Sequence, residues 1–178
     1  MGTGEVTRYL GTYGSARISK AVLMGTIPPF VLKTDDNPEG VDGAVFDDIK
    51  TGVLQDRPAF FKSFLDNFYN VDVLGGTRIS DQAWQNSFIV ATGASPIAAH
   101  ACVDTWLTDF RADLPKFDIP TLVLHGNADR ILPFDVTAGR LAALIKDVTV
   151  VPIAGGPHNI AWTHAEEVNA ALLEFLAK

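Results

Sequence analysis

The sequence predicts an α/β fold: three parallel strands with flanking helices, and a helical lid (cap) insertion over residues 42–106 of the 178. Three observations carry this expectation. Short apolar runs rich in strand formers, Ala21–Met24, Thr121–Leu124 and Val148–Val151, are separated by long stretches of helical periodicity. That alternation builds a parallel sheet through helical crossovers. The second run ends in His125-Gly126-Asn127-Ala128-Asp129 and the third in Gly155-Gly156-Pro157-His158, so polar residues gather where strands leave the sheet. Open α/β sheets place their chemistry at such tips.

Taken in order, the chain first predicts a helix over Gly2–Gly14, with Val6, Tyr9, Leu10 and Tyr13 as its apolar stripe. Gly11 weakens its interior and Gly14 suits its C-cap, while no Ser, Thr, Asp or Asn precedes its first turn. Ala21–Met24 is continuously apolar, which suits a strand covered on both faces. Gly25-Thr26-Ile27-Pro28-Pro29-Phe30 leaves it as a loop, and residues 33–43 are polar and turn-rich. Four helices follow. The first is Gly43–Leu54. The second, Pro58–Tyr69, starts at a proline and carries Phe60, Phe61, Phe64, Leu65 and Phe68 on its face. The third and fourth, Asp81–Thr92 and Pro96–Trp106, begin behind Ser80 and Ser95 as N-caps. The block's aromatic content exceeds what a plain crossover needs, hence the reading as a lid. Beyond the strand at Thr121–Leu124, a helix is predicted over Pro133–Lys146, with Leu141, Leu144 and Ile145 apolar. A final helix over Thr163–Ala177 turns Val168, Leu172, Phe175 and Leu176 inward. Three strands are few for so many helices, so at least one edge is expected to be an unpaired row of strand backbone and the sheet to be incomplete.

Composition narrows the classes. A hydrophobic fraction of 47% fits one globular domain. The net charge of −7 argues against nucleic acid and anionic membrane surfaces as partners. No apolar run approaches the length of a membrane span. Met1-Gly2-Thr3-Gly4-Glu5 has neither the basic nor the apolar region of a secretory leader. The single cysteine, Cys102, excludes an internal disulfide and fits a cytoplasmic protein.

The chemistry concentrates at Asp129 and His158, which lie 29 residues apart with one helix and one strand between them. In a right-handed βαβ unit both strand tips face the same way, so the two side chains can meet. A carboxylate bonded to one imidazole nitrogen fixes the tautomer and stabilises the imidazolium formed when the other nitrogen takes a proton. The plainer readings are a turn-forming Asp bonding its own backbone and a polar loop His. Asp118 precedes its strand and so lies at the wrong end, and Asp135 sits at the start of the next predicted helix. His125 is read as a structural residue bonding loop backbone, His100 and His164 as helical surface or packing residues, and Cys102 as a buried thiol without a basic neighbour. His100 and Cys102 do not share a helix face, which disfavours a metal site. Ser15, Ser19, Ser63, Ser80, Ser87 and Ser95 all lie outside a Gly-x-Ser-x-Gly context, so no nucleophile is assigned within the chain. Ile27, Phe30, Ile131 and Leu132 are read first as core residues; because they follow strand tips, the alternative is that they line an acyl or aryl pocket for neutral esters.

Together these residues resemble the C-terminal two thirds of an α/β-hydrolase, closest to the cofactor-free (non-haem) chloroperoxidase and arylesterase branch. The resemblance rests on Met1-Gly2-Thr3-Gly4-Glu5, Thr108-Asp109-Phe110-Arg111-Ala112-Asp113-Leu114, Ile119 through Asp129, Gly155 through Asn159, and Trp162 through Val168. It implies that Asp129 and His158 are the acid and base of a catalytic triad, without metal or cofactor. It also implies a nucleophilic Ser on a sharp strand-to-helix turn. Gly2 matches that motif's last glycine and Met1 the residue after the serine. The chain then begins one residue past its nucleophile, and the Met1 amide is one oxyanion donor. The implied substrates are small carboxylic esters, or carboxylic acids that form a peracid with peroxide. The missing nucleophile makes a complementing N-terminal fragment one expected partner, and the bare sheet edge makes a homo-oligomer another. The alternative is a catalytically inactive binding or assembly module.

Overall fold

The computed structural model describes all 178 residues, Met1–Lys178. Strands β1 (Ala21–Met24), β2 (Thr121–Gly126) and β3 (Val148–Ile153) form one parallel sheet in the order β1-β2-β3, with Ala21 opposite Thr121 and Thr121 opposite Val148. β1 matches its prediction. β2 and β3 each run two residues further, because pairing continues through His125–Pro152 and Gly126–Ile153. Pro152 is tolerated because β3 is an edge strand. All six residues of β2 are buried, as a central strand covered on both faces requires. The outer edge of β1 pairs with no strand.

The two sheet faces carry separate cores. Leu23 and Val123 pack with Leu10, Leu114, Phe117, Leu141 and Ile145 on one side. Leu122 and Leu124 pack with Ile153, Ile160 and Val168 on the other. Side chains alternate across a strand, so each face draws on every second residue. Val123 and Leu124 are fully buried; truncating such a leucine to alanine costs about 2–5 kcal/mol.

Helix α1 (Gly2–Tyr13) has the expected bounds and Met1 as an N-cap without a side-chain bond. Its buried face differs from the prediction. Gly4, Thr7, Leu10 and Gly11 face inward, while Val6, Tyr9 and Tyr13 are exposed. The reason is close packing. A Cβ at Gly4 would lie 2.7 Å from Phe110, and one at Gly11 would collide with Asp113. The helix turns its smallest residues to the neighbouring chain, which rotates the apolar stripe outward. Gly11 is therefore a packing position.

The helical block comprises α2 (Gly43–Gln55), α3 (Arg57–Tyr69), α4 (Val71–Leu74), α5 (Asp81–Thr92) and α6 (Pro96–Trp106). Ser80 and Ser95 cap α5 and α6, accepting from the amides of Ala83 at 3.2 Å and Ala98 at 3.3 Å. The four-residue α4 is too short to leave a periodic signal. The block has its own core of Leu65, Tyr69 and Ile79, with Phe68, Trp84 and Phe88 packed on it.

Three further expectations are corrected. Residues 133–146 form turns and a 3₁₀ helix, Ala138–Ala143, in place of an α-helix. Thr137 leaves helical geometry at φ −120°, ψ −96°, and the amides of Thr137 and Gly139 bond back to Phe134. Leu141 and Ile145 still reach the core. The last helix, α8 (Ala165–Ala177), begins two residues later than expected, behind a separate short helix α7 (Ile160–Thr163); His164 between them is buried and bonded through Nδ1 to Thr163 Oγ1 at 2.9 Å. In α8 Val168 is buried and Leu172 and Phe175 half-buried, but Leu176 points to solvent. Cys102 is half-buried. No helix is long and apolar enough to cross a membrane.

Candidate active site

The acid loop after β2 and the imidazole loop after β3 are joined at their roots. A side chain at Gly126 would collide with the backbone of Gly156 and Pro157, so only glycine allows the approach. The amide of Ala128 donates to Gly156 O at 3.0 Å, that of Asn127 to Ile153 O at 3.1 Å, and Asn127 Oδ1 accepts from the Gly155 amide at 2.8 Å. Both loops thus leave the sheet as one unit.

That unit brings Asp129 and His158 together. His158 Nδ1 donates to Asp129 Oδ2 at 2.7 Å. Asp129 is buried, and its Oδ1 accepts from the amides of Ile131 and Leu132 at 2.8 and 2.9 Å. Burial alone would push this carboxyl up. Hydrogen bonds from His125 and His158, the charge of His158 and the Leu132 amide outweigh burial and hold it well below the usual carboxylate range. Asp118 and Asp135 are exposed and bond no histidine.

His125 contributes more than the sequence suggested. It lies within β2, fully buried, with Nδ1 accepting from the Thr26 amide at 3.1 Å. The other nitrogen, Nε2, therefore carries the proton. It lies 2.8 Å from Leu132 O and 3.0 Å from Asp129 Oδ2. The backbone bonding matches the expectation; the direct contact with the acid was not foreseen. Gly25 is a second residue that sequence reasoning passed over. Its φ is +58°, and a Cβ there would sit 3.2 Å from His158 Cε1. The signal for both was faint: a histidine closing an apolar strand, and a glycine ending another.

His158 Nε2 makes no hydrogen bond within the chain, and the ring lines a cavity of about 400 Å³. The other walls are mostly apolar: Met1, Ile27, Val45, Phe46, Phe64, Phe68, Ile131 and Leu132 among them. Ile27, Ile131, Leu132 and Met1 thus share one cavity with His158. Phe30 does not line it, contrary to the pocket reading; its ring is buried beneath the Arg111 guanidinium, 5.0 Å from the ring centre. A larger groove of about 520 Å³ runs along α1 past Arg8 and Tyr13. It touches neither Asp129 nor His158, so the smaller cavity is the candidate site. No group of three or more His, Cys, Asp or Glu side chains stands close enough to hold a metal ion.

The arrangement is an imidazole of fixed tautomer, backed by a buried carboxylate, with its free nitrogen at an apolar cavity. It suits proton transfer to and from an attacking hydroxyl. The α/β hydrolase fold family profile matches residues 1–165, and the chain belongs to that family. More particularly, the chain is 60% identical over 176 residues to a Synechocystis sp. protein whose provisional name is non-heme chloroperoxidase, covering 99% of this chain and 64% of that relative. It is 31% identical to the bifunctional esterase/perhydrolase DCH of Acinetobacter calcoaceticus, covering 98% of this chain and 64% of that protein. The crystal structure of a bromoperoxidase from Bacillus anthracis superposes with a TM-score of 0.95 at 41% identity, covering all of this chain and 65% of that one. The chain therefore spans just under two thirds of the length of these relatives.

Proposed function

We propose that these residues belong to a serine hydrolase of small carboxylic esters, arylesterase-like, with perhydrolase and cofactor-free haloperoxidase chemistry at the same site. The observation that carries this reading is the 2.7 Å bond between buried Asp129 and His158 at the wall of an apolar cavity. The names of the chloroperoxidase and esterase/perhydrolase relatives support it. His158 Nε2 takes the proton of a serine hydroxyl as that oxygen attacks the ester carbonyl, then returns it to the departing alcohol. Asp129 holds the imidazolium, and the Met1 backbone nitrogen is one donor to the oxyanion. Water releases the acid from the acyl-enzyme. Hydrogen peroxide in its place gives a peracid and free serine, and the peracid oxidises halide to hypohalous acid, leaving the carboxylate.

The chain's own serines do not fill the nucleophile's place. Ser80 and Ser95 cap helices, Ser87 Oγ is bonded to Tyr69 Oη at 2.7 Å, and none of the six hydrogen-bonds His158. On this reading the attacking group comes from outside these 178 residues, and by themselves they turn over no ester unless a second polypeptide supplies it. Helices α2 and α3 give Val45, Phe46, Phe64 and Phe68 to the cavity wall, which supports residues 42–106 as a lid. The test is p-nitrophenyl acetate turnover by the purified chain, with and without a serine-reactive phosphonate. We expect no turnover and no adduct on this chain. An adduct on one of its serines would refute the outside-nucleophile reading, and an adduct on a co-purifying chain would support complementation.

A further inference from the structure

We propose that the α3–α4 junction, residues 68–72, is a bracket that positions both members of the acid–base pair; the inference rests on the functional reading above. The residues flanking each catalytic group are tied to this one corner of the helical block. On the acid side, Asn70 Nδ2 donates to the carbonyl of Ala128, the residue before Asp129, at 2.9 Å. Asp72 accepts both Nη groups of Arg130, the residue after it, at 2.8 and 3.0 Å. On the base side, the amide of Asn159 donates to Phe68 O at 3.2 Å, and Asn159 Nδ2 donates to Tyr69 Oη at 2.9 Å. The Phe68 ring lies 4.9 Å from the His158 ring, centre to centre.

Packing alone does not require these groups. The Tyr69 ring is buried in the block's core, and phenylalanine would fill the same space. Its hydroxyl instead bridges Asn159 and Ser87. Asn70 turns the chain in the left-handed region at φ 49°, ψ 53°, where glycine would serve. Its side chain is buried and bonded to the acid loop. Geometry at the pair matters because a misplacement of about 1 Å costs on the order of a hundredfold in rate. The sheet joins the two loops at their roots, and the bracket fixes them near their tips. Tyr69, Asn70 and Asp72 are positioning residues.

The test compares the chain with its Tyr69→Phe/Asn70→Gly variant. Glycine keeps the left-handed turn, and Lys50→Ala, which breaks the remote Lys50–Asp104 ion pair, is the control. Two signals are read by NMR: amide hydrogen exchange at Ala128 and Asn159, and the His158 Nδ1 proton held by Asp129. With far-UV circular dichroism unchanged, we expect exchange to quicken roughly fivefold to tenfold in the double variant and the Nδ1 signal to broaden or vanish. Lys50→Ala should leave both unchanged. Unaltered exchange and an unaltered Nδ1 signal in the double variant would overturn the bracket. If that variant does not fold, Tyr69→Phe alone is read by the same signals, and an unaltered Asn159 amide and Nδ1 signal overturn it. A wild-type chain without the Nδ1 signal would count against the acid–base reading instead, while the exchange comparison would still decide the bracket.

Discussion

Asp129 accepts from His158, His125 and the amides of Ile131 and Leu132, so its charge is satisfied although it is buried. This makes it a source of pH-dependent stability. Its folded-state carboxyl titrates below the ordinary range, so the stabilisation is fully present above the unfolded value of about 4. It is lost as pH falls from there through the lowered folded value. Urea unfolding between pH 7 and pH 3 should show stability falling with acid, and Asp129→Asn should make the fall shallower. Gly25→Ala places a side chain at φ +58° and 3.2 Å from the imidazole. The backbone conflict alone should cost about 1–2 kcal/mol, measured by the same unfolding curves. In the serine hydrolase proposed above, His158→Ala should lower esterase kcat by about 10⁴-fold or more while the fold persists; retained activity would remove His158 from its role. Asp129 and His158 were legible because strand tips and a 29-residue spacing specify them locally. The His125 contact with the acid was not. It depends on Thr26, 99 residues away, fixing the tautomer from another strand's loop.

At the scale of elements, legibility followed how local the cause was. α5 and α6 were readable to the residue because Ser80 and Ser95 cap them through bonds spanning three residues. Ser80→Ala and Ser95→Ala should each cost about 1 kcal/mol, seen as lowered melting temperatures. Failure to lower them would mean the caps are dispensable in this context. α1 had the right bounds but the wrong face, because Phe110 and Asp113, from about a hundred residues on, select Gly4 and Gly11 as the contact. The segment at 133–146 had helical periodicity, yet Thr137 leaves helical geometry, and beyond it Arg140 and Leu144 donate three residues back, to Thr137 O and Leu141 O, as in a 3₁₀ helix. Its apolar residues still reach the core.

For the whole molecule, the parallel order and its crossovers followed from three apolar runs and the spacing between them. What covers the outer edge of β1 did not. That edge, with the exposed Val6, Tyr9 and Tyr13 of α1, is a surface open to pairing. The isolated chain should therefore self-associate in sedimentation velocity. Its net charge of −7 opposes this, so added salt should promote it. A single monomeric species at all concentrations and salts would show that the edge is inert. The account as a whole depends on Asp129 holding His158, and side-chain NMR of the histidines reads that bond directly. We expect a downfield Nδ1 proton assigned to His158, lost in Asp129→Asn and kept in Asp118→Asn. Its absence from the wild-type chain, or its survival in Asp129→Asn, would contradict the account.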